Sequence, residues 1–259
     1  MTAARPAVST TIDERRVATV AFAPWRINVF GSELIEVLTE EFARLAEDEE
    51  LRLAVLTGGT GQAFSMGADV REMAALSGPA EAVTFITALH ELCQSIRDLP
   101  VPVIARIEGH CLGAGLEVAA SCDLRIASEG STFGMPEVRL GLPSVIEAAL
   151  LPSLIGWGRT RELLYSGATI DAAEALRIGL VERVAPVDRL DAELTGWVQA
   201  IAGDSDPAAI RLQKQLIRQW ETLPIGEAIE AGIESFRVAY SSETPRTLMQ
   251  QWIDRPRGD

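Results

Sequence analysis

The chain has 259 residues and a formal net charge of −14, with 47% hydrophobic and 23% charged residues. This composition is typical of a soluble globular protein, and the acidity argues against nucleic acid or an anionic membrane as a partner. No apolar run reaches the roughly 18 residues of a transmembrane helix. The three cysteines form no disulfide framework and the N-terminal residues lack an apolar signal core, so the sequence predicts a cytoplasmic protein.

The first quarter of the chain predicts an α/β arrangement. Short strands are expected at 8–12, 17–22 and 53–57, because apolar and β-branched residues cluster there. Between the second and third of these, residues 34–48 carry apolar side chains at helical spacing and predict an amphipathic helix. Ser32 is the expected N-cap of that helix.

Residues 63–73 and 103–122 share one order of elements: an apolar strand, a bend of small residues and the start of a helix. The first N–H groups of a helix have no partner within it, and the helix dipole adds partial positive charge there. We therefore expect the N–H groups of Ala68 and Ala114, where each bend becomes helix, to stabilise one developing oxyanion. Taken alone, the second stretch is at least as well explained by a tight turn before an acidic helix.

Glutamates follow the second bend. Glu117 lies in the first turn of its helix, and Glu137 follows a short strand and a proline turn. Paired carboxylates suit acid/base work, because one can hold a water while the other relays a proton. Each also has a simpler interpretation, Glu117 as a partner of the helix dipole and Glu137 as a turn residue, and spacing alone does not place them together. Glu147 is expected to be solvated or in a salt bridge.

The remaining elements are mostly helical. A longer helix is predicted at 81–97. After Glu137 the expected elements are helices at 143–155, 159–166 and 172–178, the last capped by Asp171 and ended by Gly179, then a strand at 181–184. The last quarter lacks strand signals, and its predicted helices are 190–202, 207–220, 225–240 and 245–252.

The sequence lacks the residues that three other kinds of site require: a zinc site, a serine nucleophile elbow and a phosphate-binding loop. His110, Cys111 and Cys122 match no zinc spacing, so no metal site is expected, and His90 and His110 are interpreted as structural. The sequence has no G-x-S-x-G nucleophile elbow. The glycine-rich stretch at 58–67 lacks the lysine of a phosphate-binding loop.

Four segments, in this order, resemble the signature regions of the enoyl-CoA hydratase/isomerase (crotonase) superfamily. They are AFSMGADVREM (63–73), IEGHCLGAGLEVAASCDLRIAS (107–128), FGMPEVRLGLP (133–143) and LLYSGATIDAAEALRIGLVERV (163–184). The similarity extends from about residue 8 to residue 255. It implies an α/β fold, a crotonase-like spiral of repeated ββα units, with the active site in residues 1–200. It also implies that residues 201–259 form an all-helical region used to assemble a homotrimer or a dimer of trimers.

The resemblance implies a lyase that adds water across the α,β double bond of a 2-enoyl-CoA thioester. The two backbone N–H groups that polarise the thioester carbonyl would be those of Ala68 and Ala114, and the two glutamates that hold the water would be Glu117 and Glu137. Coenzyme A would be part of the substrate, so no separate cofactor and no metal is expected.

The same resemblance implies the substrate-binding residues. The backbone at Met66 and Ala68 would meet the adenine end of CoA. Arg26 and Arg71 would bind its phosphates, because guanidinium groups suit phosphate geometry, although Arg71 could instead pair with Glu72 or Glu36. The remaining expected contacts come from the two bends: Gly67, Asp69 and Gly113.

The chain departs from the family pattern near the acyl pocket. Many hydratases have a glycine-rich run where this chain has residues 141–152, with Val145 and Ile146 in place of glycine, so the acyl group is not predicted. Gln62 stands where a CoA-binding lysine is often found. Alternative functions are another acyl-CoA reaction of the family (isomerase, decarboxylase or thioester hydrolase) and a noncatalytic acyl-CoA-binding subunit. Both glutamates together favour hydration over isomerisation, which typically keeps one, and they argue against binding alone.

Overall fold

The computed structural model describes residues 8–22, 28–59 and 63–255. The chain divides into two compact units, Met1–Gly203 and Asp204–Asp259. Within the described residues no helix is long and apolar enough to cross a membrane.

Strands β1 to β10 are, in chain order, Ser9–Ile12, Val17–Ala21, Leu53–Thr57, Ala63–Ser65, Val103–Ile107, His110–Leu112, Leu124–Ser128, Thr132–Gly134, Thr169–Asp171 and Arg183–Ala185. Helices α1 to α10 are, in chain order, Ser32–Ala46, Val70–Ala75, Pro79–Asp98, Ala114–Ala120, Leu151–Ser166, Ala172–Ile178, Leu190–Val198, Pro207–Trp220, Ile225–Ala239 and Thr244–Ile253. Short 3-10 helices are Glu137–Leu140, Ile146–Leu150 and Val187–Arg189, and Gln199–Gly203 is a π-helical turn.

The first unit is built from a repeated pair of strands followed by helix. The first strand of each repeat (β3, β5, β7) joins a six-stranded sheet of order β1-β2-β3-β5-β7-β10, and the second (β4, β6, β8) joins a four-stranded sheet of order β4-β6-β8-β9. Neighbouring repeats pair in parallel in both sheets. This architecture confirms the predicted spiral of ββα units. Because β4, β6 and β8 are parallel neighbours, the segments that follow them emerge at the same edge of the small sheet.

The core lies between the large sheet and the helices. Strands β3 and β5 are buried at every position, as expected for parallel strands covered on both faces. Near the chain's first crossover, Phe22 contacts Phe64 edge-on with ring centroids 5.2 Å apart, and Phe30 at 5.5 Å. Helix α1 turns its apolar stripe into this core through Leu34, Ile35, Leu38, Phe42 and Leu45.

Ser32 is not the N-cap of α1, and that prediction is wrong. Gly31 occupies the N-cap position without a side-chain cap, and Ser32 is the first helical residue. The backbone N–H of Ser32 donates to Glu72 Oε2 at 2.9 Å, and its hydroxyl donates to the same carboxylate. A distant carboxylate therefore takes the place of the local cap.

The segment predicted as one helix at 143–155 is not continuous. Residues 143–145 are not helical, Ile146–Leu150 is a 3-10 helix, and α5 begins only at Leu151. The cause is a left-handed backbone at Ile146, with φ of 37°, which no α-helix accommodates. The predicted strand at 181–184 instead forms at Arg183–Ala185, whereas the predicted Asp171 cap and Gly179 stop of α6 are confirmed.

The second unit is helical, and one side of it is apolar and exposed. On α9 the residues Ile225, Ile229, Ile233 and Phe236 recur at helical spacing and are each more than half exposed. Within this unit the Trp220 indole N–H donates to the Ala228 carbonyl at 3.0 Å, joining α8 to α9. An exposed apolar stripe of this size is typical of a surface that another protein covers.

Candidate active site

Two bends meet at the edge of the small sheet. The first follows β4 and contains Gly67, with φ of 106°, and the second follows β6 and contains Gly113, with φ of 52°. A Cβ added to Gly67 would lie 3.1 Å from the Leu112 carbonyl oxygen, and one added to Gly115 would lie 2.7 Å from the Ser65 Cβ. Glycine is needed here because the two backbones approach within contact distance and adopt left-handed conformations.

Each bend leaves one N–H group unused. In the first bend, Phe30 N–H donates to the Gly67 carbonyl at 2.8 Å and Asp69 N–H donates to the Phe30 carbonyl at 3.0 Å, which fixes the backbone on both sides of Ala68. In the second, Gly113 N–H donates to the Gly134 carbonyl at 2.9 Å. Among the described residues neither Ala68 N–H nor Ala114 N–H has an acceptor.

Both unused N–H groups belong to residues that line one cavity of about 470 Å³. Its walls are largely apolar, and the side chains that form them include Leu76, Phe85, Ile86, Leu89, Leu142 and Val145. Two carboxylates, Glu117 and Glu137, complete the lining. An apolar cleft with a few convergent polar groups is the usual form of a small-molecule site.

Glu117 is held at the buried end of this constellation. Every residue of α4 is buried, and Glu117 is 4% exposed. The Ala148 N–H donates to Glu117 Oε1 at 3.2 Å. Burial raises the pKa of Glu117 to about 8, the charges of Glu137 and Glu147 act in the same direction, and the Ala148 hydrogen bond opposes them. In the free protein this carboxyl therefore holds its proton at neutral pH.

Glu137 reaches the same place from the third strand of the small sheet. It begins the 3-10 helix that follows β8, and it is partly exposed. The Ser144 hydroxyl donates to its Oε2 at 2.8 Å. Its Oε1 lies over the second bend, since a Cβ added to Gly113 would be 2.5 Å away. The site thus combines two N–H donors with one buried and one accessible carboxyl group.

A sequence profile of the enoyl-CoA hydratase/isomerase family matches residues 13–256. The chain belongs to this family. A short-chain-enoyl-CoA hydratase of Clostridium acetobutylicum is 32% identical over 247 residues, covering 93% of each chain. A crotonyl-CoA hydratase of Syntrophomonas wolfei is 30% identical and covers 90% of this chain and 89% of its own. The crystal structure of a Mycobacterium smegmatis enoyl-CoA hydratase superposes with a TM-score of 0.93 at 27% identity, covering 98% of each chain.

The structure brings together most of the residues predicted for a site of this family. The cavity is lined by Met66, Gly67, Ala68, Gly113, Ala114, Glu117 and Glu137. Asp69 does not line it: its carboxylate caps α2 by accepting from Arg71 N–H at 2.8 Å and Glu72 N–H at 3.3 Å. Arg26 and Gln62 lie outside the described residues.

Arg71 is exposed on α2, next to Val70 in the cavity wall. In the part of the chain that the structure describes, its guanidinium forms no ion pair, so the alternative pairing with Glu72 or Glu36 is not observed. Glu72 binds Ser32 instead. The Arg71 guanidinium is therefore not engaged by a carboxylate of the described residues.

The environment of Glu147 differs most from what the sequence predicts. Of the two expectations, a solvated group is wrong, because Glu147 is 5% exposed, and the alternative of an ionic partner agrees with its contact to His90. Its Oε1 is bonded to His90 Nδ1 at 2.8 Å and to Gln94 Nε2 at 3.0 Å. The spacing of His90 and Gln94, one helical turn apart on α3, was the available signal that both face one partner.

The described residues contain no group of three or more histidine, cysteine or acidic side chains that could hold a metal ion. The three cysteines are buried and form no disulfide.

Proposed function

We propose that the chain is an enoyl-CoA hydratase, a lyase that adds water across the α,β double bond of a 2-enoyl-CoA thioester. The observation that carries this proposal is the presence of Glu117 and Glu137 in one cavity with the unused N–H groups of Ala68 and Ala114. The names of the similar proteins, short-chain-enoyl-CoA hydratase and crotonyl-CoA hydratase, agree with it.

The two N–H groups would act on the thioester carbonyl. When hydroxide adds to the β-carbon, negative charge develops on the thioester oxygen as an enolate. Donors already aimed at that oxygen stabilise the charge without reorganising, and removing one such donor typically slows a reaction by about 10²–10³-fold. The backbone positions of Ala68 and Ala114 are fixed by the contacts between the two bends, so the donors are preorganised.

The carboxyl groups would supply the proton chemistry. Hydration needs one carboxylate to accept a proton from water and one carboxyl to give a proton to the α-carbon. Glu117 holds a proton in the free protein because its pKa is about 8, and Glu137 accepts a hydrogen bond from Ser144. In the proposed reaction Glu117 is the proton donor and Glu137 the proton acceptor, and a turnover returns the pair to the same proton count.

The CoA part of the substrate would bind at the open end of the cavity, with no other cofactor. Met66 is 38% exposed there, and its backbone, with those of Gly67, Ala68 and Gly113, would line the path of the thioester. Arg71 is the described candidate for a CoA phosphate, and Arg26 stays a prediction. Asp69 would contribute by holding α2, and hence Arg71, in place.

The oligomeric state proposed is a homotrimer or a dimer of trimers, assembled through residues 201–259. The support is the exposed apolar stripe on α9, together with exposed Trp252 and Ile253 on α10. Sedimentation analysis of the full chain should give a trimer or hexamer, and Ile233→Glu combined with Phe236→Glu should shift it toward monomer. We further propose a cytoplasmic location, since three buried cysteines outside any disulfide suit a reducing compartment.

A panel of acyl-CoA substrates tests the function. Purified protein should remove the 2-enoyl thioester absorbance of crotonyl-CoA and of longer or branched enoyl-CoAs, with 3-hydroxyacyl-CoA as product. A 3-enoyl-CoA in the panel separates isomerisation, and release of free CoA separates thioester hydrolysis. Binding of the substrates without any turnover would favour the noncatalytic alternative and contradict the hydratase proposal.

A further inference from the structure

The turn from Ser144 to Ala148 contacts both carboxyl groups of the proposed active site. At its start the Ser144 hydroxyl donates to Glu137 at 2.8 Å, and at its end the Ala148 N–H donates to Glu117 at 3.2 Å. Between them Ile146 has φ of 37°, a conformation that a β-branched residue adopts only under constraint from its surroundings. Because this strained turn is hydrogen-bonded to both Glu117 and Glu137, its position affects the position of both carboxyl groups.

The side chain of Glu147, in the middle of this turn, is buried. Its Oε1 is held by His90 and Gln94 of α3, at 2.8 and 3.0 Å. Its Oε2 is buried and has no hydrogen-bond partner among the described residues. A carboxylate with one oxygen unsolvated is costly to bury, so its retention needs a reason beyond packing.

The field of Glu147 reaches Glu117. The titratable groups that face this pair are Glu137 from beyond β8, and His90 and Cys93 from α3. Burial raises the pKa of the Cys93 thiol well above its ordinary value, with the Glu147 charge as the second cause, so the thiol stays neutral. Among these groups only His90 can carry a positive charge. Its side chain is 44% exposed, so solvent reaches the His90–Glu147 contact from the His90 side.

We propose that Glu147 is a positioning residue for Glu117, acting through its negative charge and through the strained turn that His90 and Gln94 anchor. The proposal rests on the hydratase function proposed above, because a proton placed on Glu117 matters only if Glu117 and Glu137 act together on a substrate. Glu147 does not line the cavity, and in this proposal it takes no part in bond formation.

Burial is the main cause that opposes ionisation of Glu117, and the charges of Glu137 and Glu147 act in the same direction. Glu147 therefore helps to keep the proton of the pair on Glu117. The hydrogen bond from Ser144 to Glu137 acts on the other member of the pair. The turn from Ser144 to Ala148 thus gives Glu117 and Glu137 different tendencies to hold a proton. Acid/base catalysis by paired carboxyl groups requires such a difference.

The test is a titration of Glu117 in Glu147→Gln, which removes the charge and keeps the acceptor for His90 and Gln94. Glutamate labelled with carbon-13 at its carboxyl carbon gives the titration midpoint in the free protein, and the Glu117 signal is identified by its loss in Glu117→Gln. We expect the midpoint to fall by about one pH unit. The alkaline limb of kcat/KM should move in the same direction.

Two further variants make the result decisive. Glu91→Gln removes the same charge from an exposed position of α3 and should leave the midpoint unchanged. His90→Lys places a permanent cation beside Glu147 from a half-exposed site and should lower the midpoint by less than Glu147→Gln; it decides the question if Glu147→Gln does not fold.

A Glu117 midpoint that is the same in wild type, Glu147→Gln and His90→Lys would overturn the proposal. The titration needs no substrate, so it separates this failure from a failure of the hydratase function, which would show as wild-type inactivity on the whole acyl-CoA panel.

Discussion

The two bends of the site have the same local design and different surroundings. Each follows a strand of the small sheet, turns through a glycine of positive φ and opens a helix with one unused N–H group. In the first bend the acidic residue is Asp69, and its carboxylate accepts hydrogen bonds from backbone N–H groups of α2, a helix with no buried residue. In the second the acidic residue, Glu117, lies in a helix that is buried throughout and has no side-chain cap.

This difference shows what converts an N-terminal acidic residue into a reactive group. The Asp69 carboxylate accepts two backbone N–H groups at the start of α2 and does not line the cavity. A carboxyl group buried beside two others, Glu137 and Glu147, has its pKa raised to about 8. The first bend therefore supplies an N–H donor and a stable helix, and the second supplies a donor and a proton.

The largest expected effect comes from neutralising the acidic residue of the second bend. Glu117→Gln should lower kcat for crotonyl-CoA hydration by about 10²–10⁴-fold with little change in KM, because the lost group acts in proton transfer. Glu137→Gln should do the same, and the double variant should lose much less than the product of the two. Steady-state kinetics measure all three, and full activity of either single variant would remove that residue from the mechanism.

The same variant has a thermodynamic signature. Below pH 4.5 both folded and unfolded wild type keep Glu117 protonated, but between 4.5 and about 8 only the unfolded chain ionises it. The free energy of unfolding of wild type should therefore fall through this window relative to Glu117→Gln, by about 3–5 kcal/mol in total, and level off above it. Urea unfolding at several pH values measures the difference; a constant difference would mean that Glu117 is not shifted.

A methyl group in the second bend should disturb the carboxyl pair. In Gly113→Ala the new Cβ would meet Glu137 Oε1 at 2.5 Å in a backbone with φ of 52°. We expect kcat to fall by about 10–100-fold and stability by about 1–2 kcal/mol. Gly156→Ala is the matched control, because Gly156 also has a positive φ, of 74°, and a Cβ there meets nothing within 4 Å. Equal kinetics for Gly113→Ala and wild type would contradict the position assigned to Glu137.

The smallest effect should come from the acidic residue of the first bend. Asp69→Ala removes two hydrogen bonds to the start of α2 and should cost about 1 kcal/mol of stability. Because Asp69 does not line the cavity, kcat should change little, and KM should rise if α2 carries Arg71 toward a CoA phosphate. A loss of kcat as large as that of Glu117→Gln would contradict the claim that Asp69, unlike Glu117, takes no part in the reaction.

Much of the site could be predicted from the sequence because its signals are local. The bends around Gly67 and Gly113 are visible as small residues between a strand and a helix, and the order of segments indicates that Glu117 and Glu137 belong with them. The cap and stop of α6 are equally local, since Asp171 accepts from the Glu174 N–H three residues later and Gly179 needs only its own left-handed backbone.

The rest depends on contacts distant in the chain. Strands β6 and β9 have three residues each, too short for any periodicity, and they form because the small sheet offers partners. The helix predicted at 143–155 is interrupted at Ile146, which has φ of 37°. The neighbours of Ile146 bond to other segments: Ser144 to Glu137, Glu147 to His90 and Ala148 to Glu117. The burial of Glu147 follows from the same contacts and has no signal within its own segment.

The most direct test of the two-bend site is a crystal structure with a bound CoA thioester that does not react. The thioester oxygen should lie within about 3.2 Å of both Ala68 N and Ala114 N, with the β-carbon facing Glu117 and Glu137. A thioester oxygen that reaches only one of these N–H groups, or an acyl group outside the cavity, would contradict the proposed mechanism.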